Sequence, residues 1–404
     1  MAVLPIPFPQ NMCVAGVRLG TACAGIRSGA GDDLTVIELA PSARVAAVFT
    51  RNAFCAAPVR VAKEHLACAP RWLLVNAGNA NAGTGAQGIE AARATCAALA
   101  DLVGGKCEQV LPFSTGVIGE PLPVEKICAA LPKALESLSE SGWSRAARAI
   151  MTTDTQPKGS KVELSVAGRR VTIAGIAKGA GMIAPNMATM LAFIATDAAV
   201  APDSLQFALR EAVELSFNAI SVDGDTSTND ACVLMASGAA GGPELSQESL
   251  DFAVFLDGLR LVCTQLAEAI VRDGEGATKL LRIQVEEAQD SAEARRVGMA
   301  VANSPLVKTA FFAGDPNWGR ILAAVGRAVP EDFAIDRVRI WLDEACIVTA
   351  GGRAPEYTEA LGRAIMARNE ITVRIALGRG RAEAKVLTCD LSYEYVRINA
   401  EYRS

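Results

Sequence analysis

The chain has 404 residues, 51% hydrophobic and 21% charged, the balance of a water-soluble globular protein too long for one ordinary core. A net charge of −5 without a basic run excludes a nucleic-acid partner, and no apolar run reaches membrane-spanning length. Eleven cysteines, an odd number with no C-x-x-C pair, exclude a disulfide framework or zinc site and read as small buried residues of a reducing cytoplasm.

The N-terminal "MAVLPIPFPQNMC" carries three prolines and no basic-then-apolar leader. Residues 33–50 predict two strands joined by a Pro-Ser turn. The single histidine, His65, falls on a surface or partly buried helix position without a neighbouring motif, so any catalytic base must come from elsewhere. "WLLVNAGNANAGTGAQG" reads as a strand entering a Gly/Asn loop, and the helix after it stops at Gly104-Gly105. "CEQVLPFSTGVIG" is a strand leading into a second tight loop. Residues 123–151 predict two or three helical pieces, with Pro132 as a break. "KVELSVAGRRVTIAGIAKG" predicts a hairpin turning at Ala167-Gly168. "TMLAFIATDA" is a strand beginning at Thr189, and the next helix has Asp203 or Ser204 as its cap. "SVDGDTSTNDACVLMASG" is a polar loop feeding a strand, and residues 246–272 form the longest helix. The switching between strand pairs and helices places the chain in the layered α/β or α+β class.

Four stretches invite a chemical reading. "GAGMIA" fits a dinucleotide fingerprint on paper, but Pro185, Asn186 and an apolar strand follow where a helix should open. "DGDTSTND" fails as a calcium loop, having Thr228 where glycine and Leu234 where glutamate are needed; it suits a hydrogen-bonded turn or an active-site wall. "GDPNWGR" is a turn with Asn317 as a helix cap. "STGVIG" at 114–119 sets small residues at a sharp turn, where unpaired backbone N–H groups could form an oxyanion hole. Thr189, behind Ala188 and a Gly/Pro/Asn loop, raises a further chemistry. Cutting the 188–189 bond would give its hydroxyl an α-amino base whose reference pKa is roughly 7.7–8.0. The residues alone leave open that it simply begins a strand.

"KGAGMIAPNMATML", "VNAGNANAGTG", "STGVIG", "MTTDTQPK", "SVDGDTSTND", "VRDGEGATK", "VANSPLVKTA", "GDPNWGRI" and "YVRINAEYRS" together resemble the ornithine acetyltransferase (glutamate N-acetyltransferase) family over essentially the whole chain. The resemblance implies a two-lobed, self-cleaving acyltransferase of the N-terminal-nucleophile type. Cleavage would fall between Ala188 and Thr189, giving an α chain 1–188 and a β chain 189–404. Thr189 would be the nucleophile, and Thr115 and Gly116 the oxyanion hole. Thr152, Lys178, Thr189, Glu275, Asn399 and Ser404 would contact substrate; the family often ends in threonine where this chain has serine. The implied reaction is acetyl exchange from N2-acetyl-L-ornithine to L-glutamate through an acetyl-threonine ester, with no metal or cofactor. The implied assembly is a cytoplasmic heterotetramer of two α and two β chains. The alternatives are a bifunctional form that also takes acetyl from acetyl-CoA, an N-terminal-threonine amidohydrolase or aminopeptidase, and a nucleotide-binding regulator built on "GAGMIA".

Overall fold

A computed structural model describes residues 2–29, 31–184, 190–330 and 333–401. Among them, strands β1 (Val17–Ala22), β2 (Leu34–Leu39), β4 (Trp72–Asn79) and β5 (Val110–Val117) lie side by side in that order. The intervening β3 (Arg44–Phe49) edges a second sheet, ordered β3, β10 (Ala231–Ala236), β8 (Leu191–Thr196), β7 (Arg169–Lys178), β6 (Lys158–Val166). The Pro-Ser turn between β2 and β3 thus carries the chain from one sheet to the other.

The two sheets face each other. Leu73, Val75, Leu111 and Phe113 of the first pack on Ile176, Phe193, Val233 and Met235 of the second, and Phe113 meets Phe193 edge to face at 5.2 Å. On the outside of the first sheet lie α2 (Gly85–Val103) and α3 (Val124–Glu136), through Leu99 and Leu131. On the outside of the second lie α5 (Pro202–Leu215) and α6 (Phe252–Arg272), through Leu209 and Phe255. The result is an α–β–β–α layering, to which α1 (Ala57–His65) and α4 (Trp143–Ala149) add edge cover. β8 and β10 are buried on both faces, which explains their unbroken apolar runs.

The remaining chain builds a second lobe on a seven-stranded sheet. Its order is β14 (Gly352–Arg353), β13 (Ala345–Thr349), β12 (Arg339–Leu342), β15 (Glu370–Ala376), β11 (Leu280–Ala288), β16 (Ala382–Cys389), β9 (Ile220–Ser221). Helices α7 (Ser291–Ala302), α8 (Pro305–Ala313), α9 (Trp318–Gly326) and α10 (Glu359–Met366) supply its core with Val297, Phe311, Val325 and Ile365. The last helix, α11 (Tyr393–Glu401), buries none of its residues.

Several local expectations hold. The hairpin turns at Ala167 and Gly168, both left-handed (φ 49° and 71°). Gly104 ends α2 in the left-handed conformation, and Asn317 caps α9 by accepting the Arg320 N–H. Others need correction. Pro132 sits inside α3 without breaking it, because Leu131 and Ala134 anchor that turn in the core. Neither Asp203 nor Ser204 caps α5; Ala201 does, with Pro202 preset for the first helical position. The long helix starts at Phe252, since Ser249 bonds the Ser246 N–H and holds that stretch in turns. Only four cysteines are buried, Cys96, Cys232, Cys263 and Cys389; Cys13, Cys23 and Cys68 are exposed.

Candidate active site

The strand register sets the site. β8 lies between β7 and β10, with Leu191 opposite both Lys178 and Ala231. The C-terminal end of β7 and the N-terminal ends of β8 and β10 therefore meet at one edge of the second sheet. There they face Thr115 and Gly116 from the end of β5, across a cavity of about 240 Å³. Thr152, Lys178, Glu275 and Asn399 also line it, as do Ile183 and Met190. Residues drawn from five separate stretches are thus brought to one place. Ala188, Thr189 and Ser404 lie outside the described residues, although Ile183 and Met190 bring the cavity to both sides of the 185–189 interval.

The oxyanion stretch is a strand end rather than a turn. Thr115 and Gly116 belong to β5 and pair with β4 through an irregular register at Gly78 and Asn79. A Cβ on Gly116, whose φ is 135°, would stand 2.2 Å from the Gly78 carbonyl carbon, so only glycine fits. Asn229 ties this end to the polar loop, donating from Nδ2 to the carbonyls of Ala80 (2.6 Å) and Ser114 (2.9 Å).

Lys178 is buried and donates from Nζ to the hydroxyls of Thr152 (2.7 Å) and Thr115 (3.1 Å). Because the Thr115 oxygen accepts from Lys178, its own proton is left for another acceptor. Burial pulls the Lys178 ammonium below its ordinary pKa, against the raising field of Asp154. Asp154, Lys158 and Asp273 form a buried cluster next to it. Lys158 Nζ sits 2.6 Å from both carboxylates, Asp154 accepts the Gly179 N–H (2.7 Å), and Asp273 accepts the Thr155 N–H (3.0 Å). Burial acts to raise the Asp154 carboxyl, but the Lys158 and Lys178 cations outweigh it and hold the group well below the usual carboxylate range.

Lys158→Met should therefore leave two buried carboxylates unpaired and cost about 3–5 kcal/mol at neutral pH. Asp154 is depressed in the folded wild type. Its stabilisation is present above the ordinary carboxylate pKa of about 3.9 and is lost only as pH falls through the lower folded value. Urea unfolding should show the gap between the two proteins narrowing as pH falls below about 4, where wild-type Asp154 begins to lose its stabilisation. An equal gap at all pH would contradict this.

The "GAGMIA" glycines serve packing. A Cβ on Gly181 would lie 2.4 Å from the Glu275 carboxylate, so the bare backbone lets that acid approach. Glu275 also accepts Asn399 Nδ2 at 2.7 Å, and its N–H donates to Ala180 O at 2.8 Å. β8, not a helix, is the next described element, which removes the dinucleotide fingerprint.

The "DGDTSTND" loop clamps the segment before residue 185. Asp223 accepts the N–H groups of Met182 (2.6 Å) and Ile183 (2.8 Å). This holds Met182 at a φ of 56°, a left-handed conformation that non-glycine residues seldom adopt. Val222 N–H donates to Ile183 O at 2.6 Å, and the Thr226 hydroxyl to Ala184 O at 3.1 Å. The Tyr395 hydroxyl of α11 also reaches Asp223 at 3.2 Å, so α11 touches the site at both Asp223 and Glu275. His65 lies away from this cavity, buried at the end of α1 with Nδ1 2.8 Å from Val110 O, against the expectation of a surface or partly buried position. Sequence reading missed Asp154, Lys158, Asp223, Asp230 and Asp273; the acid-rich "DGDTSTND" was the available signal for Asp223 and Asp230, and the charges in "MTTDTQPK" and "VRDGEGATK" were those for the other three. Among the described residues no cluster of metal-binding side chains occurs, and no helix is long and apolar enough to cross a membrane.

Residues 18–404 match the model of the ArgJ family. The chain is 64% identical over 391 residues to the arginine biosynthesis bifunctional protein ArgJ of Methylococcus capsulatus, covering 97% of this chain and 96% of that one. It is 54% identical over 405 residues, all of both chains, to the Pseudomonas fluorescens protein of the same description. Among solved structures it is similar to the ornithine acetyltransferase of Mycobacterium tuberculosis complexed with ornithine, at 34% identity and a TM-score of 0.41, covering 45% of this chain and 98% of that one.

Proposed function

The chain belongs to the ArgJ family, and from that membership we propose that it moves an acetyl group from N2-acetyl-L-ornithine to L-glutamate, releasing L-ornithine and N-acetyl-L-glutamate for arginine biosynthesis. The observation that carries this is the convergence of Thr115, Gly116, Thr152, Lys178, Glu275 and Asn399 on one cavity beside the 185–189 interval.

In this reading the Thr189 hydroxyl first attacks the Ala188 carbonyl. Water then hydrolyses the ester, leaving an α chain 1–188 and a β chain 189–404 whose first residue carries both nucleophile and amine. The clamp of Asp223 and Thr226 on residues 182–184 supports a segment held taut for that attack. The threonine then takes acetyl from the donor amide, and the tetrahedral oxyanion rests on the Thr115 hydroxyl and the Gly116 N–H. Ornithine departs, and the α-amine of glutamate attacks the ester, so one amide is exchanged for another. Lys178 offers a cation to a substrate carboxylate, while Glu275 and Asn399 offer acceptors to a substrate ammonium. Burial of Lys178 and Glu275 supports exclusion of water from the ester. In this reading Ser404 also contacts substrate, and two α and two β chains assemble in the cytoplasm. The word bifunctional in both relatives' descriptions supports acetyl-CoA as a second donor to the same threonine.

Ornithine release with and without glutamate tests this choice of acceptor. Without glutamate, release from N-acetylornithine should stop after about one equivalent per site; with glutamate it should continue. Sustained release into water would instead make the protein an amidohydrolase.

A further inference from the structure

A second cavity, of about 580 Å³, adjoins the first, and Val117 and Thr152 line both. The strand register places it. Gly78 and Asn79 of β4 lie opposite Gly116 and Val117 of β5, so the strand end that offers Gly116 to the first cavity offers Val117 to both. Its walls are fitted to one another. A Cβ on Gly78, whose φ is 105°, would stand 2.9 Å from the Arg27 backbone nitrogen, so bare backbone lets the Arg27 loop close on β4. Asn79 donates from Nδ2 to the carbonyls of Glu120 (3.2 Å) and Pro121 (3.0 Å) and so fixes the stretch after β5.

Two cations, Arg27 and Lys126, line this cavity against one carboxylate, Glu120. Their hydrogen bonds go to carbonyls: Arg27 donates to Met151 O (2.7 Å) and Asp32 O (3.3 Å), and Lys126 Nζ to Gly25 O (2.9 Å). The nearby acids are committed elsewhere. Asp32 pairs with Arg145 at 3.2 Å, and Asp33 accepts the N–H groups of Ala24, Ile26 and Arg27. Helix α3 also opens here, at Pro123 and without a side-chain cap, which adds the partial positive charge of its first turn. The amino-acid substrates need none of this. They carry no phosphate, and the first cavity already holds Lys178 and Glu275 for their charged groups.

We propose that the second cavity seats the phosphate-bearing part of acetyl-CoA, with Arg27 and Lys126 as its anion contacts and the thioester directed past Val117 and Thr152 toward Thr115 and Gly116. The inference rests on the reading of acetyl-CoA as a second donor and gives that donor its own subsite. In the net transfer the thioester C–S bond breaks and the acetyl carbon bonds the α-nitrogen of glutamate. One amine proton ends on the released CoA thiol, so no further reactant is needed.

S-acetylpantetheine, which keeps the thioester but lacks the nucleotide and its phosphates, isolates the contact. Acetylation of glutamate would be measured with acetyl-CoA and with S-acetylpantetheine on wild type, Lys126→Glu and Lys126→Arg, each as the full chain, beside transfer from N-acetylornithine. Lys126 is exposed, so these changes spare the fold. The wild type should prefer acetyl-CoA by about tenfold or more in kcat/KM. Lys126→Glu should cut that preference by about fivefold or more through the KM for acetyl-CoA, leaving the other two donors within about twofold, and Lys126→Arg should retain it. An unchanged preference in Lys126→Glu overturns the inference and leaves the second-donor reading standing. An equal loss with all three donors overturns it too, since the lysine would then serve only the fold. A wild type that exchanges the acetyl group of N-acetylornithine but takes none from acetyl-CoA removes the inference and the second-donor reading together.

Discussion

Thr189→Ala should lose acetyl transfer by about 10⁴-fold or more, because it removes the hydroxyl that carries the acetyl group and, by blocking cleavage, the amine that activates it. Thr115 and Thr152 have their hydroxyl oxygens bonded to Lys178, and His65, the chain's one histidine, is committed to the Val110 carbonyl outside the cavity. Thr189→Ser keeps a hydroxyl on the same backbone and should recover both cleavage and a measurable part of the transfer rate. Ornithine release under saturating donor and acceptor reads both variants. Transfer by Thr189→Ala within about tenfold of wild type would place the nucleophile elsewhere.

Thr115→Val should lower kcat by about 10²- to 10³-fold while changing KM little, the cost of removing one preorganised donor to the oxyanion. The replacement has nearly the same shape, so the β5 end should survive it. The hydroxyl's arrangement makes the prediction specific: its oxygen accepts from Lys178 and its proton is free to meet charge developing in the cavity. A donor that binds only the tetrahedral state contributes to kcat and leaves ground-state binding alone. A rise in KM with kcat intact would make Thr115 a substrate contact instead.

How much of this was legible in the sequence depended on the range of the interactions involved. Strands and loops around the site announced themselves through short-range chemistry. β8 and β10 are buried on both faces and read as apolar runs, and the hairpin at Ala167-Gly168 needed only its turn residues. The glycines near the site were visible, but their reasons were not. Gly181 is bare because Glu275, far along the chain, packs its carboxylate there, a fact that the local pattern disguised as a nucleotide loop. The buried charges were hidden for the same cause. Asp154 is four residues from Lys158, but Asp273, which completes the cluster, is 115 residues beyond it. Pro132 misled because tertiary packing of Leu131 and Ala134 outweighs the hydrogen bond the proline removes. Lys178, Glu275 and Asn399 were reached through family resemblance; as isolated charges and amides in a sequence they have no signature of their own.

Self-cleavage is the claim on which both the nucleophile and its amine base depend. Denatured intact mass of the purified wild-type chain beside Thr189→Ala tests it most directly. Two wild-type fragments, 1–188 and 189–404, and a single uncut chain in the variant are expected. One uncut wild-type chain, or a Thr189→Ala variant that still divides at the same bond, would contradict it.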